Sequence, residues 1–200
     1  MIVSVDLRVL ELLNSRLCHE LISPVGAINN GIELMEEDDA EFVKDAMKLV
    51  ANSARTAGNR LTFYRFAYGS GRGAPGREAA MALLEGGKVK CEWGEAANSL
   101  PVDWQRLACN MILLAAEALP RGGAVEVLPI PGKTGVMVNA VADSVNLHAE
   151  VRAVLSGNVP VEELGARSVH AYYTQRVAEA LDAKLVLTDP EAGKMVFTAS

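Results

Sequence analysis

His19 stands in the run His19-Glu20-Leu21-Ile22-Ser23-Pro24-Val25, inside a long periodic segment. An unperturbed imidazole titrates near pH ~6.5, so at neutral pH it offers a free nucleophilic nitrogen. The adjacent Glu20 brings a carboxylate of the kind that orients a ring or relieves its developing positive charge. Apolar residues recur around this pair at Leu10, Leu13, Leu17, Leu21, Val25, Ile28, Ile32 and Met35, in steps of three or four that predict a helix with one apolar face. At about 100° per residue the stripe stays within roughly 60° of one direction, and His19 points about 180° away from it. Ser15, Ser23, Gly26 and Asn30 surround it on that outer face, and all are small. Pro24 interrupts the helical hydrogen bonding at a cost of about 3 kcal/mol, and the face lacks the Lys/Glu pairs of an ordinary solvated helix. A helix built this way presents one imidazole to a partner on a flat, cleared surface.

The elements that must position this histidine follow from the pattern on either side. Residues 5–36 form the first helix. The acidic cluster Glu36-Glu37-Asp38-Asp39 makes a turn and suits the start of a second helix, from Phe42 to Ala67, where negative charge complements the helix dipole. Two helices joined so closely form an antiparallel hairpin. One hairpin cannot bury both apolar stripes, which predicts a homodimer with a four-helix bundle; the alternative, packing both stripes on the C-terminal domain, would leave His19 less open. Gly69-Ser70-Gly71-Arg72-Gly73-Ala74-Pro75-Gly76 reads as a linker, and divides the chain into residues 1–69 and 76–200. Beyond it the pattern is mixed: helix at Arg77–Leu84, strand at Lys88–Trp93, a buried helix at Trp104–Leu119, paired strands at Ala124–Leu128 and Gly135–Val141, helices at Leu147–Leu155 and Val169–Leu181, and a closing hairpin at Leu185–Thr188 and Lys194–Thr198. Helices over one face of a mixed sheet make an α/β sandwich. The fold class is therefore α+β.

Composition removes several classes of function. Half of the 200 residues are apolar, enough for a real core. A net charge of −6 lacks the basic footprint of a nucleic-acid binder. Cys18, Cys91 and Cys109 have neither metal-ligand spacing nor an even number for disulfides, and point to a reducing compartment. No signal-peptide pattern and no apolar run of about 18 residues is present. A cytoplasmic protein without a membrane span is the expectation.

The motif His19-Glu20-Leu21-x-x-Pro24-Val25 resembles the H-box of sensor histidine kinases, His-Glu/Asp-Leu-x-x-Pro-Leu, whose histidine carries a phosphoryl group on a dimeric helical hairpin. The wider run from Cys18 to Leu34 is similar to the ChpT-type histidine phosphotransferases of alphaproteobacterial phosphorelays, and that resemblance extends over nearly the whole chain. The second half resembles the kinase ATP-binding domain in order of elements, with departures at the nucleotide. Asn110 matches the first asparagine of the kinase N-box, but the second, a magnesium ligand in kinases, falls on Leu114, which has no oxygen for a hard cation. Asp143 matches the adenine-contacting aspartate of Asp-x-Gly-x-Gly, while Val145 and Leu147 replace the two glycines that let a backbone approach a nucleotide. Gly165-Ala166-Arg167-Ser168-Val169-His170 replaces the phosphate-wrapping glycine loop.

The resemblance thus implies a phosphoacceptor without its own ATP site. His19 is implied to take a phosphoryl group from a receiver-domain aspartate and pass it to another, with Glu20 assisting. Ser23 stands where related kinases carry a polar residue linked to phosphatase activity. Ser15, Arg16, Gly26, Asn30 and Tyr64 are candidates for docking, the last with Arg65 and Phe66 near the hairpin's end. No bound cofactor is expected, and magnesium would come from the partner receiver. The implied partners are the receiver of a hybrid histidine kinase and response regulators of the CtrA type, with no nucleic acid and no membrane. Two other readings stay open: a non-catalytic dimeric scaffold that binds response regulators, and an ATP-dependent kinase core with an unusual pocket.

Overall fold

The computed structural model describes residues 5–37, 39–69, 75–157 and 159–200. Helix α1 (Leu7–Leu34) is capped by Asp6, whose carboxylate accepts from the Arg8 N–H at 2.8 Å. Helix α2 (Ala40–Ala67) is capped by Asp39, which accepts from Glu41 and Phe42, with Glu41 in the first turn complementing the dipole. The two helices pack as the expected antiparallel hairpin. Pro24 neither ends nor splits α1 and is buried in the seam. Gly31 brings the helices closest: a Cβ there would meet Val50 Cγ2 at 2.6 Å and the Ala46 carbonyl at 3.3 Å, so only glycine fits.

The apolar stripe of α1 is divided. Leu13 is buried, and Leu17, Leu21 and Ile28 are half-buried, while Leu10, Val25 and Ile32 remain exposed. On α2, Met47 and Leu61 are exposed as well. Leu10, Leu13 and Leu17 line one groove together with Leu61, Tyr64 and Tyr68, so the exposed Leu10 and Leu61 share a flank of the hairpin. An apolar face spanning two helices is large enough to require explanation.

The second layer begins with helix α3 (Gly76–Leu84) and strand β1 (Val89–Trp93), followed by a 3₁₀ turn at Glu95–Ser99. Helix α4 (Val102–Glu117) then leads to strands β2 (Gly123–Pro129) and β3 (Val136–Val141). Helix α5 (Ala149–Leu155), a 3₁₀ turn at Val161–Glu163, helix α6 (Val169–Ala180) and strands β4 (Leu185–Glu191) and β5 (Lys194–Ala199) complete it. The five strands lie in the order β1-β2-β3-β5-β4, with β1 parallel to β2 and the other pairs antiparallel. The register aligns Trp93, Val127, Val138, Phe197 and Leu187 in one row across all five strands. Strand residues alternate between faces, so these turn toward the helices, and the next row, Glu92, Glu126, Asn139, Val196 and Thr188, lies on the opposite face. Leu107, Ala108, Met111, Ile112, Leu114 and Ala115 of α4 are fully buried. This is the expected sandwich, and the two 3₁₀ turns are its unforeseen elements.

Most of the glycine-rich stretch taken as a linker, Ser70–Ala74, lies outside the described residues. Its last member does not behave as linker. Gly76 is buried at the start of α3, donates its N–H to Gln105 Oε1 at 3.1 Å, and a Cβ there would press to 3.0 Å from the Phe66 ring and 3.1 Å from Gln105 Cβ. The hairpin base and the sheet layer share one core, in which Val9, Phe63 and Phe66 pack with α4 and the sheet.

Candidate functional site

His19 is exposed near the middle of α1. Ser15, Ser23 and Asn30 are exposed with it, and Gly26 has open space around the position of a Cβ. The imidazole therefore stands on an unobstructed surface. About 100° per residue places this face and the exposed Leu10–Val25–Ile32 edge on opposite flanks of the hairpin seam. Ile22, one turn beyond His19, is 67% exposed, a bulky apolar residue that the periodicity assigned to neither face.

Glu20 is placed differently from expectation. It lies about 100° around the helix from His19 and reaches across the hairpin, where its Oε2 is 3.1 Å from Arg60 Nη1. Arg60 Nη1 also donates to the Glu20 carbonyl oxygen. The described partner of this carboxylate is Arg60, not the neighbouring imidazole. Arg60 was not foreseen, since an arginine in a helix gives no sign from spacing alone of what it will hold.

Two of the docking candidates turn away from the open face, Arg16 half-buried and Tyr64 buried. Arg16 turns inward and forms an ion pair with Glu117 at the end of α4, with its side chain only 16% exposed. Tyr64 is buried in a ring cluster with Phe63 and Tyr68, and burial, aided by the negative charge of Glu20, pushes its hydroxyl up to about 12. Both face the seam between hairpin and sheet layer, which helical periodicity cannot distinguish from solvent. Ser15, Ser23, Gly26 and Asn30 stay on the surface with His19.

The base of the hairpin is bonded to the sheet layer at several points. Asn110 Nδ2 donates to the Ala67 carbonyl at 3.0 Å, at the last residue of α2, and to Arg106 O at 2.9 Å. His170, fully buried on α6, lies 2.9 Å from the Asn110 carbonyl through Nε2 and 3.1 Å from the Tyr68 hydroxyl through Nδ1. A carbonyl only accepts, so Nε2 carries the proton and Nδ1 accepts from Tyr68. Burial, reinforced by the nearby Arg16 charge and partly opposed by the Asn110 bond, pushes this imidazole down to about 3. His170 is thus a neutral structural group. Arg8 Nη2 adds a bond to Leu164 O at 2.9 Å, and Asn59 Nδ2 one to Ala82 O at 2.9 Å.

The positions that would frame a nucleotide are filled. Leu114 and Val169 are fully buried, Leu147 and Leu164 nearly so, and Val145 packs against the core. The loop carrying Val145 is tied down by a hydrogen bond from Asn146 N to the Ala118 carbonyl at 2.9 Å. Asp143 is exposed, beside a cleft whose lining includes Arg152 and Asp189, a pair joined at 2.7 Å. Aliphatic side chains occupy these positions, and Asn110 Nδ2 is committed to the Ala67 and Arg106 carbonyls while its buried Oδ1 has no hydrogen-bond partner. Among the described residues, no group of three or more His, Cys, Asp or Glu side chains is arranged to hold a metal, and no helix is long and apolar enough to cross a membrane.

Comparison with known proteins agrees with this geometry. The sequence model of the histidine phosphotransferase C-terminal domain matches residues 76–193, the sheet layer. The protein phosphotransferase ChpT of Brucella abortus (strain 2308) is 36% identical over 204 residues, covering 94% of this chain and 93% of that protein. The structure of a bacterial phosphotransferase solved at 1.7 Å superposes with a TM-score of 0.82 at 33% identity, over 100% of this chain and 98% of the other. An exposed helical histidine above a sheet layer whose pocket is filled, matched along nearly its full length, leaves one conclusion: the chain belongs to the ChpT-type histidine phosphotransferases.

Proposed function

We propose that His19 relays a phosphoryl group between receiver domains. A neutral imidazole nitrogen attacks the phosphorus of an aspartyl phosphate; the aspartate carboxylate leaves as the N–P bond forms. The phosphohistidine then gives the group to the aspartate of a second receiver, and the imidazole returns to its neutral state. Phosphoryl transfer of this kind depends mainly on positioning and on charge stabilisation. This chain contributes the positioned nucleophile and its flat surround, and the receiver contributes the acidic pocket and magnesium. The receiver of a hybrid histidine kinase as donor, and regulators of the CtrA type as acceptors, are the partners the family resemblance indicates. The observation that carries the reading is the open, small-residue face around His19, in contrast to the half-buried Arg16 and the buried Tyr64.

ATP is not the donor in this reading, because Leu114, Val145 and Leu147 stand where metal and phosphates would be held. The exposed apolar flank of the hairpin, with Leu10, Val25, Ile32, Met47 and Leu61, supports a homodimeric four-helix bundle that leaves both His19 faces outward. The test is a panel of phosphorylated receivers mixed with the protein. Label should move from at least one of them to His19 and onward to another, with no label taken from ATP. A protein that binds receivers yet never acquires label would be a scaffold instead.

A further inference from the structure

In an α-helix each carbonyl accepts from the N–H four residues on. Four residues after Glu20 stands Pro24, which has no N–H. The Glu20 carbonyl, next along the chain from His19, therefore has no helical donor, although it faces a part-buried seam where an unpaired carbonyl is unfavourable. Arg60 of α2 takes the place of that donor. Its Nη1 donates to the Glu20 carbonyl and also lies 3.1 Å from the Glu20 carboxylate. One guanidinium nitrogen thus meets both the main-chain carbonyl and the side-chain carboxylate of the same residue. Pro24 is itself buried in the same seam, and α1 continues through it without a break.

We propose that Arg60 is a positioning residue for His19, clamping the turn that carries the imidazole through the carbonyl that Pro24 leaves open. The proposal rests on the phosphotransfer reading of His19. It makes the proline of the motif and an arginine on the opposite helix one unit: the proline removes an internal hydrogen bond, and the arginine turns the freed acceptor into a cross-link between the helices. Coupling between the two positions is the signature, because an arginine that merely packed would be indifferent to whether residue 24 has an N–H.

Single-turnover transfer from a phosphorylated receiver tests this in the wild type, Arg60→Met, Arg60→Lys, Pro24→Ala and the double variant Pro24→Ala/Arg60→Met. Arg60→Met should lower the maximal rate about tenfold while the receiver concentration giving half that rate moves less than about twofold, as expected when positioning rather than docking is lost. Arg60→Lys, which keeps a cation but not the rigid planar head, should be slowed about threefold. Pro24→Ala restores an N–H to the Glu20 carbonyl, so the double variant should return to within about threefold of Pro24→Ala alone. Arg60→Met at the wild-type rate, or a double variant as slow relative to Pro24→Ala as Arg60→Met is to wild type, overturns the proposal. Circular dichroism melts identify an Arg60→Met protein that has lost its fold, and then Arg60→Lys and the double variant decide. If no receiver labels the wild type, the phosphorelay reading fails separately. The clamp is then decided by the same ratios in labelling by phosphoramidate, a small donor that needs no partner.

Discussion

The hairpin and the sheet layer each place a histidine on a regular helix, with opposite results. His19 on α1 is exposed among small residues, and its imidazole is free to meet a partner. His170 on α6 is sealed in the core, bonded at both nitrogens, and held neutral. The side chain is the same; access and hydrogen-bond saturation decide whether it can be a nucleophile or only a staple. A second contrast accompanies the first: the hairpin leaves an apolar flank uncovered, whereas the sheet layer fills its interior with aliphatic side chains such as Leu114, Leu147 and Leu164.

The sharpest way to break this comparison is at His19 itself. His19→Ala should abolish phosphoryl acceptance from any receiver while leaving the melting temperature nearly unchanged, since an exposed side chain away from structural contacts contributes within about 0.5 kcal/mol. Residual label on His148 in that variant would relocate the site. Next in size is the uncovered flank. Val25→Glu combined with Met47→Glu should convert a dimer to a folded monomer, read by light scattering, because the charges would face each other's apolar surface. A wild-type protein that is already monomeric would remove the dimer from the account.

Much of this architecture is legible from the sequence because periodicity reports directly on burial. The spacing from Leu10 to Met35 locates α1 and turns His19 outward, the alternation in Lys88–Trp93 locates β1, and Ala124–Leu128 and Gly135–Val141 pair as read. What periodicity cannot show is which polar face of a helix a second layer will cover. Arg16 and Tyr64 look like surface residues until Glu117 and the Tyr68 cluster are brought against them. Arg60 escaped for a related reason. Pro24 does announce that the Glu20 carbonyl needs an outside donor, but identifying the donor requires the hairpin register. Gly76 reads as linker because composition marks flexibility, whereas its actual constraint, Phe66 and Gln105 against it, is tertiary.

The sheet layer offers two smaller tests. Leu114→Ala should cost about 2–5 kcal/mol of unfolding free energy, as truncations of fully buried leucines do. It should neither create ATP binding nor prevent transfer to His19; calorimetric ATP binding in this variant would show that one side chain alone keeps nucleotide out. The smallest expected effect is a slope with pH. His170 has a folded-state value of about 3 against 6.5 when free, so the unfolded chain takes up this proton first. The stability tied to its neutral form is complete above about pH 6.5. It declines by about 1.4 kcal/mol per pH unit below that, until the folded-state value is reached. Denaturant melts at pH 7 and pH 5 should show this decline in the wild type and a shallower one in His170→Gln; equal slopes would mean that the imidazole is not protected as described.

The bond from Asn110 to the Ala67 carbonyl bears on how such a chain can change over generations. An asparagine turned to hold nucleotide would have to release that carbonyl, leaving a buried acceptor unmatched at the end of α2. Cutting Leu114 back to make room would open a void before anything occupied it. Each single step toward a working kinase pocket therefore passes through a less stable protein.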